Sequence, residues 1–364
     1  MRFEQLLQTM EERQASDLYL KAGQPPNLRI NGEIIPYSEH PPLTENDMER
    51  FARHVLDEKQ LRLLENDREM DVAYALRKGP RFRINLFYQH GAMAFVCRRI
   101  KREVQTFADL NLPVEVMEKL ALQPRGLVLI VGAAGSGKST TLAAMINYIN
   151  RQKKKHIITI EDPVEFTYRE DKCIINQREV GYDTRSFPSA LKYVIRQAPD
   201  IIVIGEMRDL ETMTSAIMAA EVGHLVISSL HTIEVSQTLE RIINFFPAYQ
   251  YPQIRTQLSF VLRGIVAQRL IVRKDGEGRV PACEVLITTP TVRKQIMEGK
   301  TEELHKTIEA GKISGMQTFN QSILKLYQDG KISYEDAMEN SANPELLELA
   351  IKGIFTGTDT FKVS

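Results

Sequence analysis

Residues Gly132-Ala133-Ala134-Gly135-Ser136-Gly137-Lys138-Ser139 fit the pattern G-x-x-x-x-G-K-[ST] in full. An apolar run at 127–131 precedes them, and an apolar-periodic stretch at 142–149 follows. Strand, glycine-rich turn and helix in that order curl backbone N–H groups around one point. The positive end of the helix dipole faces the same point. Several phosphates in a row are the anion such a cradle suits. Lys138 is expected to meet the β and γ phosphates, and Ser139 to ligate Mg²⁺. Gly135, Ser136, Gly137, Lys138, Ser139 and Thr140 are therefore the expected binding residues for ATP with Mg²⁺.

A loop of this kind sits on a buried parallel strand, and the chain offers partners for one. Apolar runs at 156–160, 201–204 and 225–228 alternate with helical stretches, which reads as an α/β domain with a largely parallel sheet. With 364 residues there is room for two or three domains. Lys plus Arg balances Asp plus Glu at 47 each, which argues against nucleic acid as a partner. Cys97, Cys173 and Cys283 lie far apart with no C-x-x-C pair, so neither a zinc site nor a disulfide framework is expected. A reducing cytoplasm suits them. The first residues lack the apolar core of a signal peptide, and no apolar run reaches bilayer length.

The chain before the loop reads differently. Phe3, Leu6, Leu7 and Met10 mark a short amphipathic helix ending near Ser16. Asn31-Gly32 is a hairpin signal within 28–35. Residues 44–66 read as one charged helix capped by Thr44. Residues 82–99 read as a second hairpin turning at His90-Gly91, which sets Arg83 directly opposite Arg98. Like charges in that position destabilise a hairpin, and a shared anion such as a γ-phosphate would relieve them. Two solvated arginines tied to acidic neighbours is the alternative, and Arg81 is a third candidate. Residues 100–113 read as a linker between domains at 1–99 and 114–343. A helix and polar tail at 344–364 follow.

Binding phosphates is not hydrolysis, which also needs a carboxylate to handle water and charge to steady Mg²⁺. Two apolar strands end in such groups: Glu161-Asp162-Pro163-Val164-Glu165 and Gly205-Glu206-Met207-Arg208-Asp209. His224 and His231 flank a third strand, and on their own two such histidines are more often structural.

Together these motifs resemble the secretion ATPase superfamily, and within it the PilT/PilU family of type IV pilus retraction ATPases. Residues 160–165 resemble its Asp box, 205–209 its Walker B segment, and 223–232 its His box. Ala15-Ser16-Asp17-Leu18, Pro25-Pro26 and Arg29-Ile30-Asn31-Gly32 resemble its N-terminal signature. The resemblance implies a PAS-like α+β domain followed by a RecA-like P-loop ATPase domain with a helical C-terminal region. It implies a homohexamer, cytoplasmic and peripheral to the inner membrane at the pilus base, acting on a membrane platform protein. By match to the motifs, Glu161 would be the catalytic base and Glu206 would act on Mg²⁺ through water. His231 would sense the γ-phosphate or its neighbours. Family arginines spaced like Arg83 and Arg98 contact the nucleotide. Arg178-Glu179-Val180-Gly181 and the run 241–247 resemble the PilU-like accessory branch. PilT-like members carry Ala-Ile-Arg-Asn-Leu-Ile-Arg-Glu where this chain has residues 291–298. Only Arg293, Ile296 and Glu298 keep that pattern, which implies dependence on a PilT-like partner. Extension and secretion ATPases usually carry a tetracysteine insertion that is missing here. A RecA-like nucleic-acid motor and a nucleotide-gated adaptor are the other readings, opposed by the charge balance and by the two acidic strand ends.

Overall fold

Alternation of apolar and polar side chains along one hairpin decides the N-terminal architecture. The computed structural model describes residues 2–30, 32–76, 80–100 and 103–354. Its contacts divide into two compact units, Met1–Glu103 with Glu165–Thr167 and Val104–Val164 with the described chain from Tyr168. In the first unit, β1 (Asp17–Lys21), β2 (Asn27–Ile30), β3 (Glu33–Pro36), β4 (Glu69–Ala75), β5 (Arg81–Gln89) and β6 (Ala92–Arg99) form one sheet. The order is β3-β2-β1-β6-β5-β4 and every pair is antiparallel.

β5 and β6 pair in the register read from the sequence, with Arg83 opposite Arg98. Phe82, Ile84, Leu86, Phe95 and Cys97 then share one buried face. Phe3, Leu6, Leu7 and Met10 of the helix Phe3–Glu12 join the same core. β2 and β3 form the expected short hairpin, while Asn31 of its turn lies outside the described residues. All four residues of β3 are exposed, and the strand ends at Pro36.

Residues 44–66 are two helices rather than one. Thr44 caps Glu45–Val55 as expected, but Leu56 turns extended and Asp57 starts a second helix, Glu58–Asp67. Asp57 Oδ1 accepts from Gln60 N at 2.8 Å, and Gln60 Oε1 accepts from Asp57 N at 3.0 Å. That reciprocal cap gives the chain a cheaper local solution than continuing through Leu56.

The second unit holds β7 (Gly126–Val131), β8 (His156–Glu161), β9 (Ile174–Glu179), β10 (Ile201–Ile204), β11 (Leu225–Leu230), β12 (Leu262–Val272) and β13 (Arg279–Ile287). The order is β13-β12-β7-β11-β10-β8-β9, parallel throughout except for β12 with β13. β7, β10 and β11 are buried at every residue, as strands covered on both faces must be. β9, β12 and β13 extend the sheet beyond the strands expected from apolar runs. Phe107 and Leu112, from the stretch read as a linker, are buried in this unit with Met117 and Leu120. Lys101 and Arg102 of that stretch, and the tail after Ile354, lie outside the described residues. The helix expected after Pro344 runs Pro344–Ile351. Among the described residues no helix is long and apolar enough to cross a membrane.

One buried acid is structural. Glu284 on β13 accepts from Val235 N at 2.9 Å, at the start of the helix Val235–Asn244, whose N-cap residue offers no side-chain cap. Burial pushes the Glu284 carboxyl above its ordinary range. The native state therefore holds this proton more tightly than the unfolded chain does. The associated stability is present below the ordinary carboxyl value and is lost as pH rises through the raised one. Glu284→Gln keeps an acceptor for Val235 N without the charge. Its thermal midpoint is expected to exceed the parent's near neutral pH, with the gap closing as pH falls towards about 4. Melting curves across that range check it.

Candidate functional site

Parallel register carries four loops to one edge of the second sheet. β7 ends at Val131 beside Leu230 of β11, so the phosphate-loop segment starts next to His231. Gly132 N donates to Leu230 O at 3.3 Å. Ile204 of β10 pairs with Ser228 of β11 on one side and with Ile160 of β8 on the other. Glu161, the last residue of β8, and Glu206, just past β10, therefore sit at neighbouring strand ends, with Gly205 N donating to Ile160 O at 2.8 Å. Ligands of parallel α/β sheets collect at this edge.

The loop's backbone is shaped for close approach. Gly135 and Gly137 have φ of 76° and 93°, which side-chain-bearing residues rarely adopt. A Cβ on Gly132 would lie 2.5 Å from Gln268 O of β12, so only glycine fits there. The helix Lys138–Gln152 begins directly after Gly137 and has no side-chain cap at its N-terminus. Lys138 is buried, and its Nζ donates to Gly132 O at 2.8 Å and Ala133 O at 2.9 Å. Ser136 Oγ is buried without a hydrogen-bond partner. An uncapped helix start, a buried lysine and an unsatisfied hydroxyl in one turn fit a bound polyphosphate. Ser139 and Thr140, on the first helical turn, are partly exposed. A cavity of about 310 Å³ opens beside the loop, lined in part by Gly135, Ser136, Ile233 and Leu270.

The acidic groups are held by neighbours. Glu161 Oε1 accepts from Thr159 Oγ1 at 2.6 Å and from Gln177 Nε2 at 3.1 Å. Glu206 is buried; Arg208 pairs with its Oε1, and His231 Nε2 stands 3.0 Å from its Oε2. Lys138, Glu161, Glu206 and His231 thus belong to one strand-end row. His224 lies at the opposite end of β11, its Nδ1 3.0 Å from Pro199 O, and takes no part.

Thr159, Gln177 and Gln268 were not singled out as site residues from the sequence. Thr159 was within reach, because residues two apart on a strand share a face. Gln177 depends on the register of β9, which no apolar pattern announces.

Arg83 and Arg98 belong to the first unit. Arg83 Nη2 donates to Asp71 Oδ2 at 3.0 Å, and Arg98 Nε to Asp17 Oδ1 at 2.7 Å. Each guanidinium has its own carboxylate, so the cross-strand repulsion that suggested a shared anion is met within the sheet. Arg98 remains 68% exposed and Arg83 42%, so both can still meet a further anion.

The sequence model of the Type II/IV secretion system protein family matches residues 62–362. The chain belongs to that family. It is an ATP-hydrolysing enzyme of the secretion and pilus ATPase group within it. Pseudomonas aeruginosa type IV pilus ATPase PilU is 45% identical over 97% of this chain and 92% of its own. The type IV pilus retraction ATPase PilT of the same organism is 42% identical over 94% of this chain and 98% of its own. The crystal structure of the pilus retraction motor PilT with bound ADP is similar at a TM-score of 0.89. It is 44% identical and covers 96% of this chain and 99% of that one. The mixed α/β build, with an antiparallel sheet first and a mixed sheet after it, thus matches that of the PilT structure.

Gly132→Ala is expected to weaken nucleotide binding by about tenfold or more, the worth of one displaced contact of about 1.4 kcal/mol, and to lower the thermal midpoint as the loop shifts away from Gln268 O. Titration with a fluorescent ATP analogue beside a melting curve checks it.

Proposed function

We propose that the chain is an ATP-driven motor of type IV pilus retraction, acting as a homohexamer of the accessory, PilU-like kind. The observation that carries the reading is the row of Lys138, Glu206, Glu161 and His231 at adjacent strand ends, together with the similarity to PilU and PilT over almost the whole chain. The first unit is read as PAS-like, over 1–99, and the second as a RecA-like ATPase domain, over 114–343. The motor works in the cytoplasm, peripherally on the inner membrane, against the pilus platform protein and beside a PilT-like ring.

Gly135, Ser136, Gly137, Lys138, Ser139 and Thr140 hold the phosphates of ATP in this reading. Ser139 and, through water, Glu206 hold Mg²⁺, which supplies charge neutralisation on the phosphates. Glu161, oriented by Thr159 and Gln177, takes the proton of the attacking water. His231, which pairs with Glu206, senses the γ-phosphate or its neighbours in this reading. Arg83 and Arg98 are assigned to γ-phosphate sensing on the family resemblance and their remaining exposure.

These roles separate in an ATPase assay. Lys138→Ala is expected to abolish turnover in a folded protein. Glu161→Gln is expected to keep ATP binding and lose turnover by about a hundredfold or more, the scale of a lost general base. Arg98→Ala should lower turnover far more than ADP affinity, since ADP lacks the phosphate it would meet. Normal turnover in Glu161→Gln with loss in Glu206→Gln would reverse the two glutamate roles.

The altered segment at 291–298 lies on the helix Pro290–Glu298, with Val292 and Ile296 buried and Arg293 over the Phe260 ring. In the accessory reading it leaves this motor dependent on its partner. Cells holding this chain and an ATPase-dead PilT-like protein are expected to retract pili, and cells with the partner gene deleted to retract poorly. Twitching-zone and single-pilus retraction measurements decide it; full retraction without the partner overturns the accessory role.

A further inference from the structure

β12 runs past its neighbour. Its last pairing with β7 is Ala267 with Val131, and from Gln268 to Val272 it pairs with β13 alone. Gln268 is the first residue beyond the parallel ladder and lies directly against the phosphate loop. Its backbone oxygen is, with Ser136 Oγ, one of two atoms that a Cβ on Gly132 would strike, so it abuts the start of the loop. Its side-chain Nε2 donates to Thr141 Oγ1 at 3.0 Å, four residues beyond Gly137 on the first turn of the following helix. One residue of β12 thus touches both ends of the loop.

Gln268 and Thr141 are 3% and 2% exposed. Gln268 Oε1 is buried without a hydrogen-bond partner. Beside Val266 and Cys283, an apolar side chain would bring no unsatisfied amide oxygen of its own to this position, but it would leave Thr141 Oγ1 unpaired. A buried amide beside the Cys283 thiol, bonded to the helix turn that carries Lys138 and Ser139, asks for a reason beyond packing.

We infer that Gln268 is a positioning residue: its bond to Thr141 fixes the rotation of the first helical turn, and so the aim of Lys138 and Ser139. The inference rests on the phosphate-loop reading of residues 132–140. It also names β12 as the strand whose displacement would disturb the loop.

Isosteric changes test it in the full chain. Thr141→Val and Gln268→Met each remove the bond and leave one buried polar group unpaired; the double variant removes both groups. Singly, each is expected to lower the thermal midpoint, and the double to recover it. kcat/KM for ATP is expected to fall about tenfold in both singles and to stay about tenfold down in the double, because one bond is lost each time. Thr141→Ser keeps the hydroxyl and should hold wild-type kcat/KM. Wild-type kcat/KM in the double variant, or losses that multiply to about a hundredfold, overturn the inference. If Gln268→Met fails to fold, Thr141→Val against Thr141→Ser decides alone, and equal turnover in those two overturns it. Lys138→Ala in the same assay separates the two readings. Normal turnover there sinks the loop itself, whereas its loss beside an unaffected Thr141→Val sinks only the role of Gln268.

Discussion

Parallel pairing from β12 across to β8 is the constraint on which the second unit depends. Parallel strands all finish at the same edge, so whatever follows each strand is delivered to one place. The register does this to within a residue. Val131 faces Leu230, and Ile204 faces both Ser228 and Ile160. Slipping any of these pairs by one residue would turn its side chains to the other face of the sheet. Complete burial of β7, β10 and β11 resists the slip on both faces. The apolar strands therefore position the chemistry without carrying any of it, and the polar residues begin where the strands stop.

The first unit has a comparable anchor made of charge. Asp17 lies on β1, in register with Arg29 of β2 on one side and Arg98 of β6 on the other. It is 3% exposed and takes Arg98 Nε at 2.7 Å, Arg29 Nε at 3.4 Å and Ser16 Oγ at 2.8 Å. A buried carboxylate needs such partners to remain charged. Three strands are thereby fixed to one another at a single level. Arg98 gains a defined orientation while most of its side chain stays exposed. An arginine prepared in this way loses less rotamer freedom when it meets a further anion than one hanging free.

What the sequence disclosed follows the same physics. Fully buried strands announce themselves as apolar runs, and four of the second sheet's strands were readable in this way. The Arg83–Arg98 pairing was readable because alternation around a two-residue turn leaves one register. β9, with Ile-Ile-Asn-Gln-Arg-Glu, is an edge strand whose polar residues conceal it. β12 was hidden by Arg263, Gln268 and Arg269 within an otherwise apolar stretch. The break at Leu56 was missed although Asp57 and Gln60 spell a capping box, because charged periodicity on both sides masked it. The phosphate loop and the acidic strand ends were legible as motifs. The support behind them, Thr159, Gln177 and Gln268, was not, since it depends on which strands lie side by side.

The four exposed residues of β3 have a further consequence. An outermost strand offers unpaired N–H and C=O groups to any other chain, and Ile34 and Ile35 are 53% and 42% exposed on this one. β3 is held to four residues, opens on Glu33 and closes on Pro36, which has no N–H to donate. At the other margin of the same sheet β4 presents Glu69 and Asp71. A foreign strand laid along either margin would meet charge at one and a missing donor at the other. Both margins thus carry features that oppose the addition of a foreign strand, a short edge ending in proline at one and carboxylates at the other.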